Sequence, residues 1–153
     1  MRDGSRPPRC PNRPLHARPG ALAWVFGGGL AGTAVRYAAE EAFGASATGW
    51  PWATFGVNLA GAFILGALLE GLALTGPDEG GRQRIRLAVG TGFCGSLTTY
   101  SALALETSLL TRHGVPVTSI GYAVISVVAG MACAWLGIAA AGAALRTRAG
   151  GVS

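Results

Sequence analysis

The stretch from Gly90 to Ser101, GTGFCGSLTTYS, most limits what this chain can fold into. It lies inside an apolar segment that is long enough to cross a membrane. It holds three glycines and, from Ser96 to Ser101, four Ser or Thr hydroxyls. Glycine weakens a helix by about 1 kcal/mol per residue, and each unsatisfied backbone group in hydrocarbon is costlier still. A helix that loosens here must therefore face protein, water or a bound ion.

The composition places this stretch in an integral membrane protein. Of the 153 residues, 50% are hydrophobic and 12% are charged, whereas roughly 25% are charged in ordinary soluble domains. Apolar runs predict four transmembrane helices over approximately 21–43, 52–74, 84–110 and 117–145, the third broken near Gly95–Thr99. The predicted fold is all-α, with one membrane domain over residues 21–145.

The two ends of the chain are predicted to lie outside this domain. Residues 1–20 form a Pro- and Arg-rich head that we expect to be disordered, and residues 146–153 form a short tail. Arg-rich heads are also typical of transit peptides, but this head lacks an amphipathic pattern. Contact with anionic membrane lipid is favoured, and nucleic-acid binding is not expected because these arginines have no folded scaffold.

The arginines predict the orientation of the chain in the cell membrane. All twelve basic residues are arginines, and four spans would place both termini on the same side. That side would hold Arg2, Arg6, Arg9, Arg13, Arg18, Arg82, Arg84, Arg86, Arg146 and Arg148. The other side would hold only Arg112, since Arg36 lies within a span. Positive residues concentrate on the cytoplasmic side, so both termini are expected there.

Polar residues within the predicted spans leave several interpretations open. Arg36 lies one helical turn before Glu40, so it forms either an interfacial ion pair or the mouth of an anion path. Asn58 makes either a hydrogen bond between helices or a contact with an anion. Tyr122 and Ser126, four residues apart, share one face of the fourth span.

Breaking a membrane helix exposes backbone groups that can bind ions. The first half-helix ends with the negative end of its dipole at the break, which favours a cation. Hard carbonyl and hydroxyl oxygens suit Na⁺ and do not suit zinc. Deep within the spans there is no carboxylate pair, no Ser–His–Asp set and no His–Cys cluster, so an enzyme is not expected.

Several stretches of the chain resemble the Fluc fluoride channels, also called the CrcB family. The first resembles the family's glycine-rich first helix with its Arg-Tyr end, the second its Val-Asn motif, and the third its broken third helix. A final pair matches the polar face of its fourth helix. The stretches are residues 27–37, 54–66 and 90–101, and the pair is Tyr122 and Ser126. The third stretch is the most specific.

The resemblance implies an antiparallel dual-topology dimer with a structural Na⁺ at its centre. By position, the backbone carbonyls of Gly95 and Thr98 would hold this ion. Two fluoride paths would run along the interface, with Arg36 toward a vestibule. The residues implied to line a path are Asn58, Thr99, Tyr100, Ser101, Tyr122 and Ser126. Glu106 matches a family acid to which the residues give no role.

The sequence departs from the family pattern just after the break. The family places two phenylalanines there, three residues apart, whose ring edges face fluoride. Tyr100 keeps a ring at the first position, whereas Leu103 does not at the second, and Gly130 stands where a further serine is expected. With the one-sided arginines, this favours a heterodimer with a second Fluc-like chain of opposite orientation. A homodimer is the other possibility.

Two further functions stay open beside passive fluoride efflux. A small proton-coupled multidrug exporter needs a carboxylate deep in a span, whereas Glu40 and Glu41 lie beside Arg36 near the end of one. A non-conducting membrane scaffold would use small-residue faces, such as Gly28 and Gly32, only for helix packing. Fluoride efflux is favoured because the resemblance extends over all four predicted spans.

Overall fold

The described part of the chain is helical apart from its connecting loops. The computed structural model describes residues 18–43 and 49–150, and no strand occurs within them. The elements are α1 (Pro19–Phe43), α2 (Trp52–Thr75), α3 (Gly80–Ile85), a π-helical segment (Arg86–Cys94), α4 (Gly95–Leu97), α5 (Tyr100–Arg112) and α6 (Pro116–Gly150). The prediction of an all-α chain is confirmed. Most of the predicted head lies outside the described residues.

The third long helical stretch runs from α3 to α4 and then breaks at two threonines. Thr98 has φ −81° and ψ 148°, and Thr99 has φ −148° and ψ 120°. Both backbones are extended, so the helix stops and restarts at Tyr100. The stretch begins at Gly80, earlier than the Arg84 expected from the sequence. At the other end of the chain, α6 continues to Gly150, beyond the expected residue 145, because Ala and Arg favour helix.

Glycines let the helices approach closely around the break. A Cβ at Gly28 of α1 would collide with the Ala88 carbonyl in the π-helical segment, and one at Gly92 would collide with the Val25 carbonyl. The pair α2 and α6, which shares the most extensive contact, also meets at glycines. π-Helical turns are rare and often lie near functional sites. Here, only the three residues of α4 separate the π-helical segment from the break.

Two of the described helices are long and apolar enough to cross a membrane. They are α2 and residues Pro116–Thr147 of α6. Only 17% and 11% of their apolar windows are buried inside the chain, so they are not core helices of a soluble protein. An apolar surface of this extent indicates a membrane protein.

Candidate functional site

Asn58 of α2 holds the break through both ends of its side-chain amide. Its Oδ1 accepts a hydrogen bond from the Thr99 backbone N–H at 2.8 Å, and its Nδ2 donates to the Thr99 carbonyl oxygen at 3.3 Å. In a continuous helix, the Thr99 N–H would donate to the Gly95 carbonyl four residues earlier. Asn58 takes the place of that carbonyl and stabilises the extended backbone at Thr99.

The Thr99 side chain replaces a second backbone hydrogen bond of the helix. Its Oγ1 accepts a bond from the Ala102 N–H at 3.2 Å, which caps the start of α5. In a continuous helix, the Ala102 N–H would instead donate to the Thr98 carbonyl. The carbonyls of Gly95 and Thr98 are therefore both released from helical hydrogen bonding. These are the two residues that the family resemblance implies as cation ligands.

Backbone oxygens are the metal ligands that this region offers. Within residues 18–43 and 49–150, no group of three His, Cys, Asp or Glu side chains could hold a metal ion. The Thr98 hydroxyl donates its proton to the Cys94 carbonyl at 2.8 Å, and the lone pairs of its oxygen stay available. Carbonyl and hydroxyl oxygens of this kind suit a hard ion.

Glu106 of α5 is the central acceptor of a second polar cluster. The Tyr122 hydroxyl donates to its Oε2 at 2.6 Å, and the Thr54 hydroxyl donates to its Oε1 at 2.6 Å. Tyr122 is 0% exposed and Thr54 is 2% exposed. Thr54 is not among the residues predicted from the sequence. Its four-residue spacing from Asn58, which places both on one face of α2, is the signal that indicates it.

Ser126 lies one turn after Tyr122 on α6 and is also buried. Its Oγ lies near the Tyr122 hydroxyl but makes no hydrogen bond of regular geometry in the described part of the chain. A buried hydroxyl without a partner is destabilising by about 1–3 kcal/mol. Such a group is commonly satisfied by a bound water or ligand.

Tyr100 and Ser101 lie on the outer surface of the chain, beside the break. Tyr100 is 82% exposed, and Ser101 and Gly95 are also exposed. Leu103, three residues on, is partly buried and brings no ring to this surface. Lipid offers no hydrogen bonds to hydroxyl and backbone groups. This surface therefore requires a covering of protein or water.

Arg36 is separate from the other predicted site residues. Its Nε lies 3.6 Å from Glu40 Oε1, one turn later in α1, and both side chains are partly exposed. Among the residues described, it makes no ion pair or hydrogen bond with Asn58 or the break. The ion pair suggested by the sequence forms, and the position of Arg36 toward a vestibule stays a prediction.

Known proteins resemble this chain over most of its length. The family model described as CrcB-like protein, Camphor Resistance (CrcB), matches residues 23–138. Fluoride-specific ion channel FluC 1 of Cutibacterium acnes is 44% identical over 126 residues, covering 82% of this chain and 88% of that protein. FluC 2 of Leifsonia xyli subsp. xyli is 43% identical over 137 residues, covering 90% and 93%. FluC of Prosthecochloris aestuarii is 38% identical over 130 residues, covering 83% and 97%.

Proposed function

Because this chain belongs to the CrcB-like protein family, we propose that it is a subunit of a fluoride-selective channel. The channel lies in the cell membrane and lowers cytoplasmic fluoride by passive efflux. The family is not enzymatic, and the chain is not an enzyme. The observation that carries the proposal is the break that Asn58 holds open inside an otherwise apolar chain.

Fluoride is small and strongly hydrated, so a path must replace its water with amide and hydroxyl donors. Asn58 keeps a second Nδ2 hydrogen after its bond to Thr99. Ser126 has a buried hydroxyl that lies near Tyr122 but makes no hydrogen bond of regular geometry. The ring edge of Tyr100 carries partial positive charge and faces an anion favourably. These groups line the path together with Thr99, Ser101 and Tyr122.

A second Fluc-like subunit of opposite orientation covers the exposed side of the break. The exposed backbone at Gly95 and the exposed Tyr100 support this, because lipid cannot satisfy their polar groups. Leu103 lacks the ring expected at its position, which favours a heterodimer in which one path conducts. The partner is then a different chain with the reverse arginine bias.

Gly95 and Thr98 fit a sodium ion at the centre of this dimer. Both carbonyls have lost their helical partners, one to Asn58 and the other to the Thr99 side chain. The first half-helix also directs the negative end of its dipole toward these oxygens. A sodium ion held by these carbonyls would supply positive charge between the two subunits.

The chain crosses the membrane four times and keeps both termini in the cytoplasm. Arg82, Arg84 and Arg86 open the third helical stretch on that side, where anionic lipid is available to them. Asp78 pairs with Arg86 at 2.7 Å and orders this turn. Arg36 lies toward the opposite end of α1 and a vestibule there. Ten arginines on one side against one on the other support this orientation.

Reconstitution tests the channel and its subunit composition separately. Liposomes loaded with potassium fluoride receive either this chain alone or this chain with a second CrcB-like chain from the same genome. Efflux is followed with a fluoride electrode after valinomycin is added. We expect efflux from the pair, none from the lone chain, and none with chloride. Rapid efflux from the lone chain would overturn the heterodimer, and no efflux from either sample would overturn the channel.

A further inference from the structure

The indole N–H of Trp50 is a buried donor that the path described above does not use. Trp50 lies in the loop before α2, and its Nε1 is buried without a hydrogen-bond partner among the described residues. Thr54 and Asn58 follow it at intervals of four residues. The Thr54 side chain bonds Glu106, and that of Asn58 bonds the break. Trp50 is therefore the outermost of three polar positions that begin at this loop.

Contacts place the Trp50 ring on the cluster around Glu106. It packs edge-to-face on Tyr122, with ring centroids 5.4 Å apart and an interplanar angle of 88°. Phe55 makes a similar contact at 5.5 Å. The Tyr122 hydroxyl and Thr54 both donate to Glu106, so its two oxygens already face hydroxyl protons. Trp50 covers this cluster at the end of the molecule formed by the loops before α2 and α6.

Trp52 shows that the burial of the Trp50 N–H is not a general feature of this loop. The two rings lie 5.9 Å apart, and yet Trp52 is 64% exposed. Exposure is expected for a tryptophan at a membrane surface, where the N–H stays near water or headgroups. Trp50 instead directs its N–H into the protein. A buried donor of this kind is commonly satisfied by a water or a ligand.

We propose that the Trp50 indole N–H is a fluoride-binding group at the end of the path opposite the termini. The inference rests on the proposed fluoride channel and adds a site at the loop, beyond Thr54. A neutral N–H replaces a hydrogen bond of water without the charge that would trap the ion, as conduction requires.

Nuclear magnetic resonance of the indole groups tests binding directly. The chain, alone or with its partner, is labelled with ¹⁵N in lipid nanodiscs and titrated with NaF or with NaCl at equal concentration. Its four tryptophans give separate indole signals, and the one lost in Trp50→Phe belongs to Trp50. We expect a saturable shift of that signal with NaF only, and none for Trp52. No shift with NaF, or the same shift with NaCl, would overturn the proposal and leave a fixed water as the partner.

A second experiment measures the contribution of the N–H to conduction. Benzothienylalanine keeps the fused ring and lacks the N–H, so it replaces Trp50 in one variant and Trp52 in the matched control. Losing a hydrogen bond to an ion weakens binding about tenfold or more. We expect fluoride efflux below saturation to fall by about that factor for Trp50 and to stay unchanged for Trp52. If the unmodified channel conducts and the Trp50 variant conducts equally fast, this inference fails alone. If the unmodified channel does not conduct, the proposed function fails, and the indole signal still decides whether fluoride binds.

Discussion

Replacing Asn58 by leucine should close the break and weaken the proposed cation site. The change removes the bond from the Thr99 N–H at 2.8 Å and the bond to the Thr99 carbonyl at 3.3 Å. Each contributes about 0.5–1.5 kcal/mol. The Thr99 N–H can then return to the Gly95 carbonyl, which recovers one of the two bonds. We expect a net loss of about 1 kcal/mol in stability, together with the loss of one free carbonyl for the ion.

Thermal unfolding at increasing Na⁺ and constant ionic strength measures this effect. A bound ion stabilises the folded state by RT ln(1 + [Na⁺]/Kd), so the midpoint of the unchanged channel should rise with Na⁺. For Asn58→Leu, we expect a flat response and slower fluoride efflux, with the dimer still assembled on size exclusion. Asn58→Asp is the matched comparison because it keeps an acceptor for the Thr99 N–H. It should retain the Na⁺ response.

If the midpoint of Asn58→Leu rises with Na⁺ as steeply as that of the unchanged channel, Asn58 does not control the Gly95 carbonyl. Unchanged fluoride efflux would show that Asn58 is a packing amide or belongs to a path that does not conduct. Thr75→Ala removes an exposed side-chain-to-backbone bond remote from the break and serves as the control for losing a polar group.

Other substitutions test the helix packing and the Glu106 cluster. Gly28→Ala should destabilise the fold by about 1–3 kcal/mol by forcing α1 away from the π-helical segment, whereas Gly27→Ala faces open space and should not. Equal thermal midpoints for the Gly28→Ala and Gly27→Ala variants would contradict the close approach of α1 to the π-helical segment. Glu106→Gln should destabilise by about 1–3 kcal/mol, because its NH₂ leaves either the Thr54 or the Tyr122 hydroxyl without an acceptor. A double-mutant cycle with Tyr122→Phe should show coupling, and strictly additive unfolding energies would contradict the shared bond.

The sequence predicts the break, because its causes are local. Glycine and hydroxyl residues weaken a helix wherever they occur in numbers, and the extended backbone falls at Thr98 and Thr99. The partner of the break is not local. Asn58 lies 41 positions before Thr99, and helical periodicity places it on α2 without showing which residue it meets. For that reason the sequence alone does not decide whether the Asn58 amide bonds another helix or contacts an ion.

The π-helical segment and the role of Thr54 depend on tertiary contacts in the same way. The segment lies against α1 where Gly28 and Gly92 bring the two backbones together, and a pattern within Arg86–Cys94 does not reveal that approach. In the sequence, Thr54 is a single hydroxyl in an apolar helix. Only the structure shows that Glu106 lies opposite it. Local chemistry therefore predicts where the chain must deviate from a helix, and packing determines what each deviation binds.

Thr99 connects the proposed anion path with the proposed cation site. Its N–H bonds Asn58, which releases the Gly95 carbonyl, and its hydroxyl bonds Ala102, which releases the Thr98 carbonyl. Leu103 takes no side-chain part in either exchange. A subunit that lacks the aromatic at this position can therefore keep the backbone geometry of the cation site even where its own path does not conduct. Because the cation site does not depend on a conducting path, a channel of two different chains has a physical reason to retain both chains.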